Sequence, residues 1–328
     1  MTRRFSVASF FNQFLSRTNI WSLGIIVISS LSYYFLFDFL RWNQFDSASY
    51  EAGSRLLFGL EGGADIQGRM SKPLVLILPG FFEFTFGLAP KYSFLIQSGI
   101  CYIILVFLWK GILRNLEFSE TIQKIGTLML VLSQPVAVFS FGILTDFPGW
   151  CCMLWLIYIY TRKSKSMKWL QICIVTLIGL LVKESIFIGI IFIAVSVLFD
   201  KTILLKKKMI YGFFFLLTIL LSQFIILQLE FGGLIKRQSE IMQWGSLFDQ
   251  HSYSELFQIW RAFDGTWWLF ILALFSLKSQ LKKSPYLFES LITLIASFIF
   301  LPFAHPASMV DRILFMFFPM VFIISLTY

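Results

Sequence analysis

Long apolar runs separated by short basic connectors are the feature that most constrains this chain. Three connectors are rich in lysine: Arg162-Lys163-Ser164-Lys165 with Lys168, Lys201 with Lys206-Lys207-Lys208, and Lys278 with Lys282-Lys283. An apolar run of about 20 residues crosses the hydrocarbon core of a bilayer as a helix. Basic connectors between such runs stay on the cytoplasmic side. With them fixed there, nearly every other notable charge falls on the opposite side: Asp46, Glu83, Asp146, Lys183, Glu184, Asp311 and Arg312. Charge at the membrane is costly unless it is paired or used, so a chain that gathers it at one face is expected to carry a site there.

Composition supports lipid as the solvent. The 328 residues are 58% hydrophobic and 14% charged, against about 25% charged in soluble domains. The net charge of +9 sits in short connectors, a pattern of topology rather than of nucleic-acid binding. Cys101, Cys151, Cys152 and Cys173 lie within apolar runs and lack zinc-ligand spacing. His251 and His305 are the two histidines, which excludes a multi-histidine metal site. A divalent cation stays open; no other cofactor is implied.

The runs predict an all-α, polytopic membrane bundle of about 10 transmembrane helices, one domain over residues 1–328. Spans are expected at about 20–40, 93–113, 124–143, 147–160, 169–182, 185–199, 209–229, 266–277, 286–303 and 313–326. Arg3, Arg4 and Arg17 precede the first span and send it outward. Its apolar run is too long for a signal-peptide core and is read as retained. Parity then makes residues 73–88, with Pro79-Gly80 inside, a broken interfacial or re-entrant helix rather than a crossing. External loops fall at about 41–92 and 230–264, the first helical, the second with a short surface helix around Ile241–Phe248. Both termini are cytoplasmic. Short connectors and the absence of a sorting tail point to a bacterial inner membrane.

Each candidate site residue has a plain structural reading beside its chemical one. Asp46 precedes a helical-looking run from Ser47 to Leu60 and can cap it, or act as a general base on an acceptor. Tyr50 shares its face, one turn on. Lys72, in Lys72-Pro73-Leu74, is a snorkelling anchor or a phosphate ligand. Thr145 or Asp146 can cap the helix entered through Pro148, yet an acid at so tight a turn is costly unless paired or used. Lys183-Glu184-Ser185 joins two spans in a turn too short to reach water, either as a self-paired doublet or with Lys183 aimed at a phosphate. Glu83 lies in the broken helix. His305 and the Asp311-Arg312 doublet precede the last span, where Arg312 can pair with Asp311 or grip a phosphate bidentately. Trp42, Tyr50, Trp150 and Trp244 can stack on sugar rings or form an interfacial aromatic belt.

The order of these motifs resembles the C-type membrane glycosyltransferase superfamily, which includes protein O-mannosyltransferases and the aminoarabinose transferase of lipid A. The likeness rests on Asp46 and Tyr50, Lys72-Pro73-Leu74, Thr145-Asp146-Phe147-Pro148, and Arg312 with Pro319, spread over most of the chain. Here the first acid stands outside an Asp-Glu doublet, and one proline follows Lys72. The resemblance implies a polyprenyl-phosphate-linked sugar as donor and an acceptor glycan, lipid or protein on the non-cytoplasmic face. It implies Asp46 as catalytic base, Asp146 as a second acid for the acceptor or a divalent ion, and Lys72, Lys183 and Arg312 around the lipid phosphate. A transporter or flippase of a lipid-linked glycan, and a non-catalytic membrane subunit on the same scaffold, are the alternatives to an enzyme.

Overall fold

The computed structural model describes residues 17–37, 47–60, 72–139, 146–163, 168–228, 260–281, 286–297 and 314–327. Every element among them is helical. This suits an apolar chain, because a helix satisfies its own backbone groups without water. In chain order the helices are α1 (Arg17–Phe37), α2 (Ser47–Leu56), α3 (Pro73–Phe86), α4 (Pro90–Asn115), α5 (Glu120–Leu132), α6 (Gln134–Phe139), α7 (Asp146–Thr161), α8 (Lys168–Val182), α9 (Ile186–Phe199), α10 (Leu205–Gln228), α11 (Thr266–Gln280), α12 (Leu287–Ser297) and α13 (Phe318–Ser325). Among the described residues, two stretches are long and apolar enough to cross a membrane: Pro90–Asn115 and Leu205–Ile226.

Two local expectations are corrected. The span expected at 124–143 is interrupted, because α5 ends at Ser133, which is extended at ψ 136°. Pro135, inside α6, has no N–H to continue the ladder, and its ring would meet the carbonyl of Val131. The stretch expected to break at Pro79-Gly80 instead stays helical throughout α3. Gly80 has a separate task there. A Cβ at Gly80 would lie 2.3 Å from the Ser54 carbonyl oxygen and 2.6 Å from the Phe58 ring, so glycine lets α2 cross α3 at backbone contact.

Helix α4 organises the bundle. Helix α1 runs antiparallel to it: Lys110 Nζ reaches Ser22 Oγ at 3.2 Å, and Ser29 Oγ meets the Tyr102 hydroxyl at 2.7 Å. Helix α5 folds back along it, where Trp109 Nε1 donates to the Gly126 carbonyl at 2.9 Å. Helix α7 runs parallel to α4. Cys151 Sγ donates to the Cys101 carbonyl, a Cβ on Gly111 would press on Tyr158, and Asn115 Nδ2 donates to Thr161 Oγ1. Between them lies an aromatic column of Trp109, Phe147, Trp150, Phe315, Phe318 and Phe322, buried and mostly edge-to-face.

This register sorts the chain ends into two poles. Arg114, Arg162, Lys163 and Lys168 lie where α4 and α7 end and α8 begins. Lys201 lies between α9 and α10 and Lys206–Lys208 in the first turn of α10, with Lys208 Nζ bonded to the Leu198 carbonyl. Tyr286, at the start of α12, packs on Tyr160 and Phe192 at the same pole. The described parts of the first two lysine-rich connectors, and the start of the helix that follows the third, therefore share one end of the bundle.

Candidate functional site

At the other end of α7 a cluster of ion pairs forms from three separate stretches of chain. Asp146 stands in the first turn of α7, where a carboxylate is favoured by the helix dipole. The α8–α9 turn, Lys183-Glu184-Ser185, closes over it. Lys183 Nζ donates to Asp146 Oδ1 at 2.5 Å, with side-chain exposures of 10% and 1%. The next residue turns the other way. Glu184 Oε2 lies 3.1 Å from Lys72 Nζ, with exposures of 42% and 7%. Lys72 occupies the N-cap of α3, and Pro73 at the first helical position starts that helix. Val75 N–H bonds to the Lys72 carbonyl at 3.3 Å.

Gly149 fixes the approach. A Cβ there would sit 2.6 Å from Ser185 Oγ and 2.8 Å from Lys183 Cβ. Only glycine lets the Lys183 stem lie along the first turn of α7 and direct its ammonium at Asp146. Two buried polar atoms beside the cluster, Ser185 Oγ and Trp150 Nε1, have no hydrogen-bond partner among the described residues. Native cores rarely leave such groups unmatched.

The depth of the cluster is its least expected property. Phe147, next to Asp146, packs edge-on against Tyr102, ring centroids 5.7 Å apart. From Pro90 to Tyr102 α4 extends about 18 Å, at roughly 1.5 Å per residue. Tyr102 is also level with Ser29, near the middle of α1. Asp146 and Lys183 are thus recessed well below the outer end of α4. Helices α7, α8 and α9, of 16, 15 and 14 residues, stop at that level. A helix needs about 20 residues to cross a bilayer core. Helix α3 occupies the space alongside. It starts at Lys72 and climbs to Gly87, whose left-handed backbone (φ 66°) ends it beside the start of α4.

The expected site residues are distributed as follows. Lys72, Asp146, Lys183 and Glu184 come together. Glu83 does not: it is about 16 Å further along α3 than Lys72, in a forked pair with Arg55, whose Nε and Nη2 reach it at 3.0 and 2.9 Å. Glu51 neighbours that pair, and Lys91 approaches it from α4. Burial pushes the Glu51 carboxyl above its ordinary range, opposed by Arg55 and Lys91. Tyr50 is fully buried on α2 and tilts against Phe94, 6.5 Å between centroids. Trp150 is enclosed by Phe147, Phe315 and Phe318, so it is a core residue and not a sugar platform. Asp46, His305, Asp311, Arg312, Trp42, Trp244 and the surface helix around 241–248 lie outside the described residues.

Sequence reasoning passed over Gly149 and Ser185 as site residues. The signal was their position, one just after Pro148 and the other just after the Lys-Glu doublet. Among the described residues no group of three or more His, Cys, Asp or Glu side chains is placed to hold a metal ion. Comparison with family models, with curated proteins and with solved structures gives no match.

Proposed function

We propose that the chain is a multi-pass membrane glycosyltransferase that takes a sugar from a polyprenyl-phosphate-linked donor on the non-cytoplasmic face. The observation that carries this reading is the convergence of Lys72 and Lys183, 111 positions apart in the sequence, on one recessed cluster with Asp146 and Glu184. The basic connectors at the opposite pole set that pole in the cytoplasm. About ten crossings are read from the apolar runs, and a bacterial inner-membrane location from the short connectors between them. The lysines suit the chemistry. Sugar transfer from a phosphate ester makes the phosphate an anionic leaving group, which needs fixed positive charge more than it needs an acid. The acceptor hydroxyl or amine attacks the anomeric carbon, its proton passes to Asp46, and the bond from that carbon to the phosphate oxygen breaks. The polyprenyl phosphate leaves with the bonding electrons, held at the Lys72 end of the cluster.

One observation favours a second reading. Sites near the middle of the spans are typical of transporters, and the cluster is recessed by about 18 Å from the outer end of α4. A carrier of lipid-linked glycan would use the same lysines without Asp46. The two readings separate in membrane vesicles given polyprenyl-phosphate sugar. The enzyme reading expects Asp46→Asn to abolish transfer while polyprenyl-phosphate binding survives. Wild-type vesicles that move the glycan across the membrane, with Asp46→Asn as active as wild type, would overturn it in favour of the carrier.

A further inference from the structure

The two ion pairs of the cluster are unequal, and the inequality assigns different tasks to lysines that look equivalent in sequence. Asp146 is 1% exposed at its side chain and stands in the first turn of α7. Separating it from Lys183 would pull apart two desolvated charges, which is strongly unfavourable. Glu184 is different. Its side chain is 42% exposed although its partner Lys72 is 7% exposed. Part of that side chain is uncovered, while its backbone is held in the turn: its carbonyl accepts the Phe187 N–H at 3.0 Å and the Lys183 carbonyl accepts the Ile186 N–H at 3.4 Å. The carboxylate of Glu184 therefore presents to Lys72 what an anionic headgroup would present.

We propose that Glu184 is a displaceable latch. It holds Lys72 in place of the lipid phosphate, and an incoming phosphate monoester or diester takes over the Lys72 ammonium as Glu184 turns out to solvent. Lys183, kept by Asp146, supplies no new bond and positions the turn that carries Glu184. The latch rests on the phosphate-binding reading given above and adds its regulation. An occupied Lys72 keeps a recessed cation neutral between turnovers, and the affinity for donor is lowered by the fraction of molecules in which the latch is closed.

The test is the binding of a polyprenyl monophosphate, with the neutral polyprenol and inorganic phosphate as controls, to full-length protein in nanodiscs. Glu184→Gln keeps a hydrogen-bond acceptor for Lys72 and so preserves the turn, but it no longer competes as an anion. It is expected to bind polyprenyl phosphate roughly fivefold tighter than wild type, as removal of a latch closed in most molecules requires. Lys72→Gln is expected to bind it at least roughly tenfold more weakly. Glu51→Gln, an acid whose charged neighbours are Arg55, Lys91 and Glu83, is expected to match wild type. If Lys72→Gln weakens binding but Glu184→Gln does not tighten it, the latch is wrong and the lysine site stands. If Glu51→Gln tightens binding as much as Glu184→Gln, the effect is long-range charge and the latch is wrong. If Lys72→Gln binds like wild type, the phosphate site itself is wrong and the latch falls with it.

Discussion

Lys163 and Glu117 meet at one pole of the bundle, 2.7 Å apart and with side chains 82% and 63% exposed. Lys183 and Asp146 meet at the other, 2.5 Å apart and 10% and 1% exposed. The chemical groups are alike and the distances nearly so, yet the physics differs. The first pair exchanges one hydrated state for another, and exposed pairs contribute little to stability. Lys163 holds the Glu117 carboxyl below its usual range through a hydrogen bond and its charge. The second pair has left water. Its attraction must offset two desolvation penalties, so each partner depends on the other. An ion pair kept in such a place is seldom explained by stability, because an apolar pair would serve as well. On the proposed topology the basic pole orients the chain, and the recessed pole is where chemistry is expected.

The contrast is broken most forcefully by removing one buried partner. Asp146→Ala leaves the Lys183 ammonium among helices α7, α8 and α9 and is expected to cost about 3–5 kcal/mol, read from chemical unfolding in detergent. The double replacement Asp146→Leu with Lys183→Met should restore most of that loss while abolishing function. If Asp146→Ala unfolds at the wild-type denaturant concentration, the pair is not desolvated and the contrast disappears. Lys163→Ala, at the basic pole, is expected to be indistinguishable from wild type in the same measurement.

A smaller effect sharpens the comparison. Gly149→Ala places a methyl group against Ser185 Oγ and Lys183 Cβ. It is expected to cost about 1–3 kcal/mol, the range for overfilling a packed site, and to weaken donor binding by displacing the Lys183-Glu184-Ser185 turn. Unchanged binding and stability would mean that the turn is free to move.

The smallest effect is in pH. Burial raises the folded-state pKa of Glu51 above the ordinary 4.5. The folded protein therefore holds that proton more tightly than the unfolded chain. Its contribution is fully present below the unfolded value and is lost as pH rises through the raised one. Glu51→Gln is expected to flatten the stability profile across that window and to leave the profile at higher pH parallel to wild type. An unchanged slope across the window would remove Glu51 as its source.

Much of the fold was legible because hydropathy and helix length are local properties. The runs expected at 147–160, 169–182 and 185–199 fall within a residue or two of α7, α8 and α9, including their shortness. That Asp146, Lys183 and Glu184 share one end was expected from the lysine connectors, and that Lys72 joins them from the basic N-terminus that sends the first span outward. Pairing was not legible. Lys183 could as well have paired with its neighbour Glu184, and only the tertiary packing that brings Asp146 of α7 and Lys72 at the start of α3 to the turn separates them. Depth was not legible either. It depends on the register of α7 against α4, set by contacts such as Tyr102 with Phe147. Glu83 shares a helix with Lys72 and looked like part of the site, but helical rise takes it away to Arg55.

The proposed donor site requires that the recessed ion pairs face the non-cytoplasmic side. It is tested by labelling single cysteines with a membrane-impermeant maleimide in intact cells, after replacing the four native cysteines. Glu184→Cys is expected to react from outside, and Lys163→Cys only once the membrane is ruptured. Should both positions react from the same compartment, the recessed ion pairs do not face the non-cytoplasmic side and the proposed donor site is not there.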